Sequence, residues 1–382
     1  MSIKLAIPLL LLPLISTSAL AQQTGTLVGR TPGSAAANHS FRVVREVPPP
    51  PTCASAVGTS AAANNAPALP DFVFERMDLL CVRHSDGRFE QLPKEIAGFW
   101  SPDGHELAYW NKEKHELHFR SIADGSDTIA DVLPDFTPQE MYWSEKGRAF
   151  VYPANNANPL RYRVLDLDTG KRSLIGRDLT RIVGVPDPAH LLATTQNTVE
   201  RISVADGKHE VVATLNFPNT AQYSPGGTWL AIEVQVLNPQ EPANDDDTPD
   251  CSSGIFAIVL QKTDTRQLLK VPFPDGFESV VDFAFSPDDR SLAVTFGGES
   301  CDYPGDKARV YVVSLPDLVL TPLSPADRLS VQPHWSPDGK AIVHSDFLAS
   351  TLIVVDVRTG KATKLTNPGQ NGPDTFLSWH QP

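Results

Sequence analysis

Short apolar runs recur along this chain, each following a polar turn. Glu106-Leu107-Ala108-Tyr109-Trp110, Trp229-Leu230-Ala231-Ile232-Glu233, Ser291-Leu292-Ala293-Val294-Thr295 and Lys340-Ala341-Ile342-Val343-His344 share length and character. Runs of this kind bounded by turn residues read as strands, and no sustained helical period competes beyond the first twenty residues or so. A short phrase stands ahead of them: Trp100-Ser101-Pro102-Asp103-Gly104 and Trp335-Ser336-Pro337-Asp338-Gly339. Its variants are Phe285-Ser286-Pro287-Asp288-Asp289, Tyr223-Ser224-Pro225-Gly226-Gly227 and Trp143-Ser144-Glu145-Lys146-Gly147. Ser first, Pro second and Gly fourth suit a type I turn, and Asp can bond the local backbone. The phrase therefore predicts a corner between two strands, and its Ser and Asp are turn residues rather than catalytic ones.

A second marker alternates with the first, as Asp86-Gly87, Asp124-Gly125, Asp168-Thr169-Gly170, Asp206-Gly207, Asp264-Thr265, Asp317-Leu318 and Thr359-Gly360. An Asp-Gly or Gly-containing turn between two apolar runs signals a hairpin. Two hairpins per repeat make four strands. The anchors Trp100, Trp143, Val185, Tyr223, Phe285, Trp335 and Trp379 recur at about 40–45 residues in the regular stretches, the period of four-stranded propeller blades. The expected fold is all-β: a β-propeller of seven blades, or six if the degenerate repeat at Val185 fails to form one. Trp379 begins a repeat that Phe72–Glu75, Leu79–Arg83 and Phe89–Leu92 can complete, so one composite blade would join both ends of the chain. Two repeats are lengthened, by inserts around Asn238–Ser253 and Gly297–Lys307.

The segments ahead of the propeller have a different composition. Lys4, the apolar stretch Leu5–Ile15 and Ala19-Leu20-Ala21 make residues 1–21 a cleavable signal peptide. Residues 22–67 are rich in Ala, Ser, Asn and Pro, a linker composition that cannot bury enough surface to order itself. The propeller is then expected over 68–382 of an exported chain, periplasmic or secreted. The apolar stretch is too short to span a bilayer comfortably, and a monomer is expected.

Four cysteines in an exported chain point to disulfides. Cys251 and Cys301 sit in the two inserts, at corresponding places in neighbouring repeats, and are expected to pair with one another. Cys53 and Cys81 would then tie the Pro-rich segment to the composite blade.

The net charge of −13 argues against a nucleic-acid partner. Glu241, Asp245, Asp246, Asp247 and Asp250 cluster in one insert, with Asp302 and Asp306 in the other. They read as a solvated acidic loop, or as a docking surface for a cation or a basic partner. Asp166-Leu167-Asp168-Thr169-Gly170 looks like a calcium loop only superficially, because it occupies a repeated hairpin. His115 and His118, three apart on a strand, would face opposite ways. His334 and His380 stand beside inner-strand aromatics of adjacent blades, where they could approach the channel and a metal. The tryptophans read as inter-blade core. No catalytic residue is assigned and no cofactor is expected.

The Trp100–Gly104 and Trp335–Gly339 phrases, with their apolar runs and later Asp-Gly turns, resemble the WD40-like repeats of the TolB-like propeller family. The resemblance covers the chain from about residue 70 onward. It implies a propeller and leaves the role open: relatives include the envelope-binding TolB protein, propeller domains of prolyl oligopeptidase-type peptidases, and oligogalacturonate lyases. This chain departs from each. TolB has a folded domain before a six-bladed ring, the peptidases need a hydrolase domain, and the metal-binding histidines of the lyases find no match here. Two functions follow: a non-enzymatic module binding a protein or glycan of the cell envelope, with the inserts and channel mouth as its recognition surface, or a carbohydrate-active or small-molecule lyase or hydrolase working at that mouth.

Overall fold

The computed structural model describes Cys53 and residues 69–379, apart from 77–78, 92–97, 103–104, 112, 122–123, 134–140, 155–160, 176–180, 237–254, 299–306, 326–327 and 367–374. Within that range 28 strands form seven antiparallel sheets of four. Blade I contains β1 (Phe72–Arg76), β2 (Leu79–Arg83) and β3 (Phe89–Gln91). Blade II is β4 (Gly98–Trp100), β5 (Glu106–Asn111), β6 (Glu116–Ser121) and β7 (Asp127–Val132). Blade III is β8 (Tyr142–Trp143), β9 (Ala149–Pro153), β10 (Tyr162–Asp166) and β11 (Arg172–Ile175). Blade IV is β12 (Arg181–Asp187), β13 (His190–Thr194), β14 (Thr198–Ser203) and β15 (His209–Thr214). Blade V is β16 (Pro218–Tyr223), β17 (Trp229–Gln235), β18 (Phe256–Lys262) and β19 (Leu268–Lys270). Blade VI is β20 (Ser279–Phe285), β21 (Ser291–Gly297), β22 (Ala308–Ser314) and β23 (Leu320–Pro322). Blade VII is β24 (Ser330–Trp335), β25 (Ala341–Asp346), β26 (Thr351–Asp356) and β27 (Ala362–Lys364). The last strand, β28 (Thr375–Trp379), pairs with β1 and becomes the innermost strand of blade I.

The blade count is seven, because the degenerate repeat at Val185 forms the complete blade IV. Six of the anchor aromatics are the last residues of their innermost strands, and Val185 lies near the end of β12. The Ser of the phrase has one job throughout. Its hydroxyl accepts a hydrogen bond from the backbone N–H five residues on: Glu106 to Ser101 at 2.9 Å, Ala149 to Ser144 at 3.1 Å, Trp229 to Ser224 at 3.0 Å, Ser291 to Ser286 at 2.9 Å and Ala341 to Ser336 at 2.9 Å. All five serines are buried. Each pins the start of the second strand to the corner, so none is available for chemistry. The hairpin at Asp166 is likewise a turn, its carboxylate accepting from the N–H groups of Asp168 and Thr169 at 3.0 and 2.9 Å.

Burial falls from the axis outward. The second strands are buried on both faces, as in β25, whereas fourth strands such as β27 are largely exposed. The reason is layering: each blade is sandwiched between two others. In β21, Leu292, Val294 and Phe296 pack toward blade V with Trp229, Ile258 and Leu260. On its other face Ala293 packs against Trp335 and Ile342 of blade VII. Each fully buried side chain of this size stabilises the ring by about 1.5–3 kcal/mol.

Closure uses both ends of the described chain. Phe72 and Trp379 meet edge to face at 5.8 Å, and Phe74 meets Phe89 the same way at 6.0 Å. The disulfide Cys53–Cys81, with its Cα atoms 5.5 Å apart, lies buried in this cluster against Leu69. The expected pairing of these two cysteines is therefore present. Cys251 and Cys301 lie outside the described residues.

Strand direction sorts the loops. Turns after first and third strands emerge at one end of the ring, here the turn end. Connections after second and fourth strands emerge at the other. In blades V and VI the second and third strands are separated in sequence by 237–254 and 299–306, which lie outside the described residues.

Candidate functional site

The innermost strands of blades IV to VII share an irregularity: their pairing with the second strand shifts register at Ile182/Gly184, Pro218/Thr220, Val280/Asp282 and Val331/His334. A bulge of this kind re-aims the residues that follow it. In blades IV to VI those residues, Gly184, Thr220 and Asp282, line one cavity of about 370 Å³ on the channel. Gly184 is held there by close approach, since a Cβ would stand 3.3 Å from the carbonyl oxygen of Ala221.

Aromatic and acidic groups complete the wall. Tyr142, Trp143 and Phe283 contribute rings, and Glu145, Glu233 and Asp282 contribute carboxyls. Trp143 is fixed by its indole N–H, which donates to the carbonyl of Phe99 at 2.8 Å, and by edge contacts with Phe119 and Phe150 at 5.5 and 4.9 Å. Unlike the buried Trp335 and Trp379, it is only half-buried, and it is among the residues that line the cavity. The side chain of Trp100 lies outside the described part.

Two carboxyls are held in an unusual state. Glu233, on β17, is buried, and burial pushes its carboxyl up to about 7. Asn219 opposes this by donating to Glu233 Oε2 at 2.9 Å, while the charge of Asp282 adds to the rise. Arg181 orients the relay by donating to Asn219 Oδ1 at 2.8 Å. Asp282 accepts from the N–H of Gln332 in blade VII at 2.9 Å, at a residue whose φ is +56°. Glu145 is pushed up to about 8 by burial of its carboxyl, offset only by the charge of Lys146, although part of the residue still reaches the surface. Both groups therefore exchange protons near neutrality, where a carboxyl can act as acid or base.

Glu145 occupies the second position of the turn phrase, where other repeats have Pro. A Pro there has no N–H; Glu145 has one and donates it to the carbonyl of Val185 at 2.7 Å, tying the corner of blade III to blade IV. The same side chain also borders a second cleft at the turn end, about 320 Å³, between blades IV and V. Two cavities thus share one carboxyl.

The residues singled out from sequence fall elsewhere or outside the described range. Glu241, Asp245, Asp246, Asp247 and Asp250, with Asp302 and Asp306, lie in 237–254 and 299–306, and His380 also falls outside. His334 is in β24 and half-buried, and burial pushes its imidazole down to about 4, so it is neutral at physiological pH. His115 is not on the strand: it sits in the turn before β6 at φ +58°, while His118 on β6 stacks on Tyr109 at 4.8 Å between Glu116 and Asp127. Among the described residues no three His, Cys, Asp or Glu are grouped to hold a metal ion. Nor is any described helix long and apolar enough to cross a membrane.

No protein-family model matches the chain, and no curated protein does. Among solved structures, an oligogalacturonate lyase from Vibrio parahaemolyticus is similar with a TM-score of 0.51 and 14% identity, over 78% of this chain and 85% of that one. A functionally unknown protein from Desulfotomaculum acetoxidans has a TM-score of 0.51 and 13% identity, over 81% and 99%. TolB from Acinetobacter baumannii has a TM-score of 0.47 and 12% identity; the match covers 80% of this chain and 66% of that protein, just under two thirds of its length. The likeness is one of fold, the propeller that the repeats imply.

Proposed function

We propose that this chain is an exported binding module that takes a glycan or protein of the cell envelope, a glycan first, in the channel cavity. Residues 1–21 would direct export and 22–67 would tether the ring formed by the rest of the chain. The disulfide Cys53–Cys81 supports an oxidising destination. One observation carries the reading: a concave site lined by the aromatic residues Tyr142, Trp143 and Phe283 together with Thr220, Gln222 and Glu233. Ring faces stack on the apolar side of a sugar, and the polar groups fix its hydroxyls. The reading thus centres on the channel cavity; the acidic inserts lie outside the described residues. Glycan-array binding of the full chain, followed by titration of its best ligand, tests it. Trp143→Ala should weaken binding at least tenfold while the melting of the ring stays cooperative; no glycan bound, or equal binding by the variant, would sink the reading.

A second reading rests on Glu145 and Glu233. Two carboxyls poised near neutrality on one cavity suit the acid and base of a lyase or hydrolase. It predicts chain cleavage of the bound glycan, abolished in Glu233→Gln with binding retained. Binding without cleavage by the wild type leaves the first reading alone.

A further inference from the structure

The turn-end cleft differs from the channel in charge. Three cations border it, Lys146 from the corner of blade III, Arg201 from β14 and Arg266 from the β18–β19 turn. The chain as a whole has 45 acidic against 32 basic residues, so a local cationic cluster runs against its composition. The two arginines converge on one carboxylate: Glu210 lies 2.5 Å from Arg201 and 3.9 Å from Arg266. One of their two charges is therefore not neutralised by it. Lys146 forms no salt bridge among the described residues. Its ammonium reaches past blade IV to the corner of blade V, where a Cβ on Gly227 would stand 3.9 Å from it.

The remaining groups cancel this charge only in part. Asp187 also lines the cleft, its carboxylate held to the ring of His190 at 2.9 Å, so with Glu210 two negative charges stand against the three positive ones. Glu145 is held largely uncharged at neutral pH by its burial. Tyr223 forms the floor, close enough to both arginines that their charges oppose the upward push of burial on its phenol. Its hydroxyl makes no hydrogen bond among the described residues.

We propose that the cleft between blades IV and V binds the anionic group of a ligand, a carboxylate or a phosphate, with Lys146 and the Arg201–Arg266 pair supplying charge and the Tyr223 hydroxyl donating a hydrogen bond. The arrangement is the one by which charge-assisted bonds hold an oxyanion. Since Glu145 borders both cavities, a ligand with a neutral body and one anionic end could occupy channel and cleft together. The cleft stands independently of the channel reading, and either can fail alone.

Saturation-transfer NMR on the full chain tests it, with methyl phosphate and acetate as probes at matched ionic strength and methyl glucoside as the neutral control. A saturable signal from an anion, not displaced by the glucoside, is expected. Methyl phosphate alone would identify a phosphate site, acetate alone a carboxylate site, and both a general oxyanion site. Lys146→Glu should raise the Kd at least tenfold. Tyr223→Phe, which keeps the ring and its packing, should raise it about threefold. No saturable signal from either anion, or an unchanged Kd in both variants, overturns the proposal.

Discussion

In blade VII the carboxylate of Asp338 accepts from the hydroxyl of its own Ser336 at 2.7 Å and from the N–H of Lys340 at 3.1 Å. In blade V the corresponding residue is Gly226, and the carboxylate comes from next door. Asp289 of blade VI accepts from Ser224 Oγ at 2.8 Å, from the N–H of Gly226 at 2.8 Å and from the N–H of Thr228 at 3.2 Å. Asp289 itself stands where the phrase otherwise has Gly, at φ +60°. Two departures from the repeat thus complete one another. The first corner closes on itself; the second exists only as a pair of blades. Identical phrases would give seven interchangeable units, whereas this exchange ties V to VI specifically.

The sharpest way to break the pairing is Gly226→Asp, which restores the phrase in blade V. A Cβ at Gly226 would lie 2.5 Å from Asp289 Oδ2, and the new carboxylate would face the old one. We expect a loss of ~3 kcal/mol in urea unfolding, from overpacking and like charge. The double variant Gly226→Asp with Asp289→Gly rebuilds two ordinary corners and should recover most of it. A double variant as unstable as the single one would refute the exchange.

Asp289→Ala removes three hydrogen bonds to a carboxylate. Its environment is partly solvated, so the expected cost is about 1–2 kcal/mol, measured the same way. Asp338→Ala should cost less, ~0.5–1 kcal/mol, because an exposed carboxylate serves only its own turn. Acid offers the finest comparison. The hydrogen bonds to Asp289 hold its carboxyl below the ordinary value of 3.8 against the opposing effect of burial. A depressed carboxyl contributes stability that is complete above the unfolded value and fades as pH falls through the folded one. The gap in urea midpoint between wild type and Asp289→Ala should therefore be constant from pH 7 to about 5 and narrow below about pH 4.

The blades were legible because each corner is local: Ser, Pro and Gly within five residues suffice to specify it, and the spacing of corners counts the sheets. The exchange was half legible. Gly226-Gly227 and Asp288-Asp289 stand out as irregular phrases, yet nothing in the order of residues says that one repairs the other. The channel site was hidden for a related reason. Glu145 and Glu233 owe their state to neighbours on other blades, and Asp282 reaches the cavity through a bulge. A signal did exist, in Glu145-Lys146 replacing Pro-Asp: Glu145 borders both cavities and Lys146 borders the cleft. His115 was misplaced on a strand because a left-handed residue at a hairpin leaves no mark in composition. Irregular copies of a repeat are the places to look for a site.

The pairing of β28 with β1 has a consequence for the order of assembly. The two strands meet across roughly 300 positions of sequence, and contacts so remote are the last that a growing chain can make. Until Thr375–Trp379 emerges, six sheets can be complete while β1 waits with one edge unpaired, a template for any other extended strand. Maturation of this ring is thus a race between its own final segment and a stranger, and the clasp at Cys53–Cys81 keeps the waiting edge in shape until the race is run.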